Sequence, residues 1–353
     1  MSRDAQTTRY AALTRRQAAL VAAAFLALTG WFVVGPRVAP PTPMVPAAQQ
    51  GSDVELYRAI VERVRLGQGY YDAAGAELRA RGYPTRPVFN WRQPTYAWLL
   101  AAVPTPRVGS ALLAFVAAAV VVLARRWVRE AGGHAALATG LAIFALAGCL
   151  VPNFIFLQES WAGVFIALSV CAFGVERWRL GVASALAALA FRELALLPCV
   201  VGLALAVRRR RWPEVGAWVA GLAVYGALMA WHFSLVRAHM RPDDLGRAWI
   251  VFGGARFVLE TARWSPFLTI FPAGGVAFVL PFVLLGLGGW RAPGASRAAL
   301  VVFGYLTAFA IAGNPFNDYW GAVYAPLLLF GIMAAPASVR DLAAAIKTSS
   351  APA

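Results

Sequence analysis

The segment Gln17–Val34 has the sequence QAALVAAAFLALTGWFVV, and Val108–Ala124 has the sequence VGSALLAFVAAAVVVLA. Neither contains a charged residue, and each approaches the roughly 20 apolar residues that an α-helix needs to cross a bilayer. Of the 353 residues in the chain, 60% are apolar and only 14% are charged. A soluble domain has about 25% charged residues. The sequence therefore predicts an all-α polytopic membrane protein.

Apolar runs recur along the whole chain and predict about ten transmembrane helices. They lie at residues 17–34, 108–124, 135–152, 159–175, 180–191, 195–207, 215–233, 268–289, 298–313 and 320–336. Runs 180–191 and 195–207 are each too short to span alone, and they could form one helix with Arg192 and Glu193 in its middle. We favour two short helices joined at these residues. One continuous helix would put the basic residues that flank the two runs on opposite sides of the membrane.

The distribution of positive charge indicates the orientation. The chain has 32 Lys and Arg residues against 16 Asp and Glu residues, a formal net charge of +16. A nucleic-acid site needs a basic face on a soluble module, whereas these charges lie between apolar runs, so no nucleic-acid partner is predicted. Every second connector is short and basic, and the positive-inside rule puts these connectors in the cytoplasm. They contain Arg125, Arg126, Arg129, Arg177, Arg179, Arg208–Arg211, Arg291, Arg297, Arg340 and Lys347.

Both termini are therefore predicted to be cytoplasmic, at residues 1–16 and 337–353, on either side of a single transmembrane domain at 17–336. The first run has no small-residue cleavage site before the Pro-rich stretch 36–46, so we interpret it as a retained first span. Two outer connectors are long, at 36–107 and 234–267. We predict a multi-pass protein of a bacterial-type inner (plasma) membrane with an extracytoplasmic active site.

The first outer loop contains two candidate juxtamembrane helices between spans one and two. Ser52 followed by Glu55 forms a capping-box pattern, which predicts that a helix starts at Asp53. Its apolar residues recur at three- and four-residue spacing, which is typical of a helix that lies along the membrane surface. The second segment, Asn90–Leu100, is too short to span and carries aromatic residues that favour the membrane interface.

Other motifs are absent or uninformative. The three cysteines, Cys149, Cys171 and Cys199, lie in apolar runs, which indicates small buried side chains and predicts no disulfide framework and no CxxC metal site. The sequence contains no GxxxxGK[ST] phosphate loop and no HExxH or HxxxH pair. No internal repeat is evident, which argues against a transporter built from inverted halves.

Over roughly residues 15–210 the chain resembles the C-type integral-membrane glycosyltransferases, which include aminoarabinose transferases and protein O-mannosyltransferases. The resemblance lies in the first span, an acidic start to a long outer loop, two juxtamembrane helices and several short segments. These segments are Gly51–Glu55 (GSDVE), Tyr70 with Tyr71, Arg92–Tyr96 (RQPTY) and Ala190–Pro198 (AFRELALLP). The chain departs from many members in having Gln93 where a Pro-Pro pair is common and Arg192 in place of a lysine. We also expect it to lack the soluble C-terminal domain that many members have.

The resemblance implies transfer of a sugar, with inversion, from a polyprenyl-phosphate donor to an extracytoplasmic lipid, glycan or protein acceptor. Asp53 is then the candidate base, with Glu55 as a second carboxylate. Arg92 and Arg192 are the candidates for binding the donor phosphate, because a guanidinium matches phosphate oxygens with a fork of donors. Each residue also has a structural interpretation. Asp53 could complement the helix dipole and Glu55 could cap the helix, while Arg92 could snorkel and Arg192 could pair with Glu193.

Further polar and aromatic residues at the same outer level are candidates for cavity and substrate contacts. They are Tyr70, Tyr71, Tyr96, Glu159, Glu193, Asn317, Asp318, Tyr319 and Trp320. Glu159 could instead cap a helix, and the aromatic residues near 319 could belong to an interfacial belt. Histidines and aspartates between 232 and 244 fix no ligand geometry, so no cofactor is predicted with certainty and a divalent metal stays open. Two rival functions are a flippase for lipid-linked sugars and a non-catalytic envelope scaffold.

Overall fold

A computed structural model of the chain describes residues 7–35, 52–246 and 251–347. Within these ranges the chain is helical, and its only β-type pairing is an isolated bridge between Arg86 and Gly246. The all-α class predicted from the sequence is therefore confirmed. The Pro-rich stretch 36–46, Gly51 and Arg247 lie outside the described residues.

The α-helices are numbered here in chain order. They are α1 (Arg15–Val34), α2 (Asp53–Arg65), α3 (Tyr70–Ala80), α4 (Thr95–Ala102), α5 (Pro106–Glu130), α6 (Ala135–Leu146), α7 (Gln158–Gly174), α8 (Trp178–Phe191), α9 (Leu196–Arg208), α10 (Trp212–His239), α11 (Gly254–Ala262), α12 (Pro266–Thr269), α13 (Ala273–Gly289), α14 (Ala295–Ile311) and α15 (Leu328–Lys347). Short 3₁₀ turns connect several of them. They include Glu193–Ala195, between α8 and α9, and Pro315–Val323, which is used below.

Four long helices are apolar enough to cross a membrane: α1, α5, α10 and the stretch Ala325–Lys347. Each of the other predicted runs also overlaps a helix, but these helices are shorter. These four long helices support the prediction that the chain is a membrane protein. The total of ten spans remains a prediction.

Two predicted boundaries fall inside helices. The final helix, α15, continues through Pro336 as far as Lys347, so the stretch 337–347 of the predicted tail is helical. Helix α10 extends to His239, α11 lies within the predicted outer loop 234–267, and α12 crosses the end of that loop. Apolarity alone placed the ends of α10 and α15 too early, because the backbone hydrogen bonds of a helix continue through polar residues as readily as through apolar ones.

The chain breaks between α8 and α9, as the two-helix interpretation predicted. Arg192 has an extended backbone (φ −150°, ψ 124°) that ends α8. The Cys199 thiol lies 3.6 Å from the carbonyl oxygen of Ala185, and these residues are equally far along the chain from Arg192. Because a continuous helix would hold them about 20 Å apart, α8 and α9 must fold back on each other with Arg192 at the turn.

Several of the basic connectors meet at one end of the bundle, which we call the basic end. The indole N–H of Trp127, near the end of α5, donates to the carbonyl of Pro293 at 2.8 Å. Arg297 lies 3.4 Å from Glu214 and 3.5 Å from the ring centre of Phe173, and so joins the ends of α7, α10 and α14. Gathering these connectors at one end agrees with the positive-inside pattern in the sequence.

The capping box predicted for α2 is confirmed, since Ser52 and Glu55 exchange their hydrogen bonds at 3.0 and 3.2 Å. The apolar face of α2 is buried within the protein: Tyr57 is 4% exposed and Ile60 is 2% exposed. Packing against the protein therefore accounts for the amphipathic pattern of α2. Its position along a membrane surface stays a prediction.

Candidate functional site

Five charged residues from distant parts of the sequence come together at the end of the bundle opposite the basic end. This charged cluster consists of Asp53, Arg92, Glu159, Arg192 and Glu193. Its position follows from the course of the helices: α7 begins beside Glu159 and ends at the basic end, and α8 returns from there to Arg192. The fold therefore assembles residues that the sequence separates by more than a hundred positions.

Arg192 lies at the centre of a buried ion-pair network. Its Nε is 2.6 Å from Oε1 of Glu159, and both side chains are 0% exposed. Its Nη1 donates to Glu193, whose side chain is 24% exposed. Burial alone would raise the pKa of Glu193, but Arg192 and then Arg92 outweigh it and hold that pKa below its usual range. The Arg192 charge is therefore balanced by two carboxylates, as the sequence-based pairing interpretation with Glu193 suggested.

Arg92 has a different environment from Arg192. Its Nε donates to the Tyr57 hydroxyl at 3.0 Å and its Nη2 to the Tyr319 hydroxyl at 3.2 Å. No carboxylate lies within ion-pair distance of it among the described residues, and its buried Nη1 has no hydrogen-bond partner there. The side chain is partly exposed. Arg92 is thus a cation that the described part of the chain leaves without a directly paired negative charge.

Tyr57 connects Arg92 to the candidate base Asp53. Burial raises the pKa of Tyr57 to about 12; Arg92 opposes that shift, while Asp53 and Glu159 add to it. Asp53 and Tyr57 are four residues apart on α2 and so share one face. Asp53 is partly exposed, and its carboxylate accepts a hydrogen bond from the Tyr83 hydroxyl at 2.8 Å. A carboxylate with one hydroxyl partner and access to solvent retains acceptor capacity for a substrate proton.

Four of the remaining predicted site residues, Tyr70, Asn317, Tyr319 and Trp320, lie at the charged cluster. Tyr319 accepts from Arg92 and donates to Asn317 at 3.1 Å, and the ring of Trp320 is 5.9 Å from the Arg192 guanidinium carbon. The Tyr70 hydroxyl donates to the carbonyl of Arg92.

Three of the predicted residues lie at the edge of this arrangement. The ring of Tyr96 is 5.6 Å from that of Tyr57 and supports it by packing. Tyr71 lies away from the cluster, with its hydroxyl 2.9 Å from Nδ1 of His232. Glu55 is exposed and caps α2, so its observed contact is structural.

The described residues contain no group of three or more His, Cys, Asp and Glu side chains placed to hold a metal ion. The histidines and aspartates considered above have other contacts. His239 is 3.4 Å from Asp72, and Asp244 accepts two hydrogen bonds from Arg79 at 2.7 and 3.0 Å. The Arg79–Asp244 pair connects the first predicted outer loop to the second.

Two tyrosines of the site, Tyr57 and Tyr83, were not among the candidates predicted from the sequence. Tyr57 was recognised only as part of an apolar face, although its spacing from Asp53 was a usable sign of a shared face. Tyr83 follows α3 in a turn, and no local pattern links it to Asp53 across thirty residues.

An apolar groove of about 580 Å³ runs between α8 and α10 and approaches the cluster. Nine of its residues are apolar or glycine, with Arg179 the charged residue and Tyr225 the polar aromatic one. The full lining is Trp178, Arg179, Val182, Ala183, Leu186, Ala217, Ala220, Gly221, Val224, Tyr225 and Leu228. The hydroxyl of Tyr225 accepts from the side chain of Gln93 at 3.1 Å, directly beside Arg92.

The groove follows α10 from Ala217 to Leu228, which corresponds to about 16 Å of helix. Its other end contains Trp178 and Arg179, near the basic end. A long, narrow apolar chain is the kind of ligand that such a groove accommodates. The groove and the charged cluster together match a molecule with an apolar tail and a charged head.

No protein family model, curated protein or solved structure matches this chain.

Proposed function

We propose that this protein is an integral-membrane glycosyltransferase that transfers a sugar from a polyprenyl-phosphate donor to an extracytoplasmic acceptor. The observation that carries the proposal is Arg92: its buried Nη1 has no hydrogen-bond partner among the described residues, and its Nε donates to Tyr57 on α2, the helix that carries the Asp53 carboxylate. A guanidinium binds phosphate oxygens through two parallel donors. Asp53 provides the acid–base group that a hydroxyl acceptor requires.

The proposed reaction is a direct displacement. The Asp53 carboxylate takes the proton of the acceptor hydroxyl as the acceptor oxygen forms a bond to the anomeric carbon. The bond from that carbon to the phosphate oxygen breaks, and its electron pair leaves with the polyprenyl phosphate. Attack opposite to the leaving group inverts the anomeric centre. Arg92 stabilises the negative charge that develops on the phosphate.

Arg192 has a positioning role in this proposal. Its ion pairs with Glu159 and Glu193 fix its guanidinium, whose buried Nη2 has no hydrogen-bond partner among the described residues. Glu159 and Glu193 in turn offset the repulsion between the two arginines, which would otherwise be costly at low dielectric. The result is a fixed network of charges beside Arg92, the arginine of the cluster that has no carboxylate within ion-pair distance among the described residues.

The apolar groove supports a lipid-linked donor rather than a soluble nucleotide sugar. It leads to Gln93, the neighbour of Arg92, through the Tyr225 hydroxyl. A polyprenyl tail in the groove would bring its phosphate next to Arg92. Since the cluster is at the end opposite the basic connectors, the positive-inside rule favours an extracytoplasmic reaction at a bacterial-type inner membrane.

Turnover of a defined donor tests this function without knowledge of the acceptor. Purified protein is incubated with polyprenyl-phosphate hexoses and pentoses plus a membrane extract, and released polyprenyl phosphate is measured by chromatography. Asp53→Asn should reduce release by about 10²-fold or more, since a positioned base contributes that much. Glu62→Gln, which alters an exposed carboxylate of the same helix, should keep full activity. Unchanged release by the Asp53→Asn variant would refute the role of this residue.

A further inference from the structure

A second concave site, which we call the outer pocket, lies beside the charged cluster. It has a volume of about 450 Å³ and forms where the end of α11, the start of α12 and the 3₁₀ turn Pro315–Val323 meet. Its lining consists of Glu260, Arg263, Trp264, Pro266, Thr269 and Asp318. The apolar groove, by comparison, is lined almost entirely by apolar side chains. The outer pocket is thus suited to a polar ligand.

The charges around the outer pocket nearly cancel. Glu260 is paired with Arg256, whose Nε lies 2.7 Å from its Oε1. The pocket's other two charged groups, Arg263 and Asp318, have opposite signs. A phosphate or a simple cation would find no net opposite charge here. Charge complementarity therefore favours an uncharged ligand that still requires several hydrogen bonds.

The side chains of the outer pocket suit hydroxyl groups in particular. Carboxylates accept hydrogen bonds from hydroxyls, and guanidinium groups donate to them. Nη1 of Arg263 is buried without a hydrogen-bond partner among the described residues, so a donor is available. Trp264 adds an aromatic surface, and its indole N–H donates to Oδ2 of Asp318 at 3.2 Å, which fixes both side chains. Acceptors, a free donor and an aromatic surface together match a neutral saccharide.

The outer pocket and the apolar groove reach the charged cluster through different residues. Asp318 precedes Tyr319, whose hydroxyl accepts from Arg92, and the rings of Trp264 and Tyr319 lie 6.4 Å apart. The groove instead contacts the cluster through Gln93. A lipid-linked donor bound along the groove would leave the outer pocket free for the second substrate.

We infer that the outer pocket binds the acceptor, and that the acceptor presents a neutral saccharide at this site. This inference rests on the proposed glycosyltransferase function. Asp318 and Trp264 orient the saccharide beside Tyr319, so that one of its hydroxyls reaches Asp53. The two substrates therefore approach the charged cluster by separate routes.

Direct binding tests the inference without turnover. Methyl glycosides of hexoses, pentoses and N-acetylhexosamines are added to purified protein, and saturation-transfer NMR measures contact, with inorganic phosphate in a parallel sample. At least one glycoside should bind the wild type and the Asp53→Asn variant. Asp318→Ala and Arg263→Gln should each weaken it about tenfold, the effect of losing a charge-assisted hydrogen bond. Trp264→Phe preserves the aromatic packing and tests the indole N–H separately.

The outcomes separate this inference from the proposed function. Any one of three results would overturn the inference. They are glycoside binding that none of the three pocket variants weakens, preferential binding of phosphate, and no binding of any glycoside. If transfer is detected, Asp318→Ala should raise the acceptor KM about tenfold and leave the donor KM unchanged. A raised donor KM alone would instead assign the pocket to the donor sugar and overturn the acceptor assignment. Saccharide binding without any transfer would contradict the glycosyltransferase proposal and leave the pocket as a saccharide site.

Discussion

Removal of the Glu159 carboxylate should strongly destabilise the protein. Glu159→Gln keeps the side-chain volume but leaves the guanidinium of Arg192, which is 0% exposed, with Glu193 as its remaining carboxylate. Breaking a buried ion pair by removing one partner costs about 3–5 kcal/mol. Because Glu193 still compensates part of the charge, we expect the lower end of this range, about 3 kcal/mol.

The measurement is the free energy of unfolding in mixed detergent micelles, followed by circular dichroism. The matched control is Glu62→Gln, which removes a carboxylate that is 56% exposed and 3.0 Å from Arg65. Exposed pairs of this kind contribute about 0–1 kcal/mol. The double variant Glu159→Gln/Arg192→Met should recover part of the lost stability, since it removes the uncompensated charge. Equal losses for Glu159→Gln and Glu62→Gln would refute the assignment of a buried network at Arg192.

Two other perturbations test the apolar groove and the contact between the two predicted outer loops. Ala183→Trp should fill the groove and raise the donor KM without lowering kcat. The control Val219→Trp, on an exposed part of α10 outside the groove, should leave both KM and kcat unchanged. Equal effects of the two variants would argue against a lipid groove. Although burial opposes it, Arg79 together with the backbone N–H of Arg241 lowers the pKa of Asp244 from 3.8 to about 2. These contacts should therefore contribute about 2 kcal/mol in total above pH 4, and the contribution should be lost as the pH falls through 2. The difference in Tm between the wild type and Asp244→Asn should be largest above pH 4 and should shrink as the pH falls towards 2. A difference in Tm that does not change with pH would contradict the pairing.

Local patterns in the sequence predicted several parts of the fold correctly. The Ser52–Glu55 capping box marked the start of α2, because its hydrogen bonds involve residues three positions apart. The turn between α8 and α9 at residues 192–193 was predicted from the basic residues that flank the two runs, because one continuous helix would put them on opposite sides of the membrane. These predictions held because their physical causes are local.

The composition of the site was harder to predict because its contacts are distant in sequence. Arg92 and Tyr319 are hydrogen-bonded across 227 positions, and Arg79 and Asp244 across 165. Glu159 in α7 is the second ion-pair partner of Arg192. The sequence predicted both residues at the same outer level, but spacing alone could not show that they pair. Of the residues that line the outer pocket, only Asp318 was a candidate from the sequence, since Trp264 and Asp318 belong to different connectors and only the packing of α11 brings them together.

Small residues at contact points explain part of that packing. A Cβ on Gly163 of α7 would lie 2.0 Å from the carbonyl oxygen of Ala322, and one on Gly321 would lie 1.8 Å from that of Thr261. The 3₁₀ turn that carries Tyr319 and Trp320 is therefore held against α7 and α11 at glycines. Such close approach has no distinct sequence pattern, because glycines also occur where the helices have open space around them.

The affinity of purified protein for polyprenyl phosphate tests the account most directly, because Arg92 is proposed to bind this group. Binding is measured by isothermal titration in detergent for the wild type, Arg92→Gln and Arg58→Gln, the last altering an exposed arginine of α2. The loss of a charge-assisted contact predicts about a tenfold to hundredfold weaker Kd for Arg92→Gln and less than a twofold change for Arg58→Gln. Arg92→Lys, which keeps the charge but not the fork of donors, should be intermediate. A Kd unchanged by Arg92→Gln, in a variant whose unfolding matches the wild type, would contradict the account.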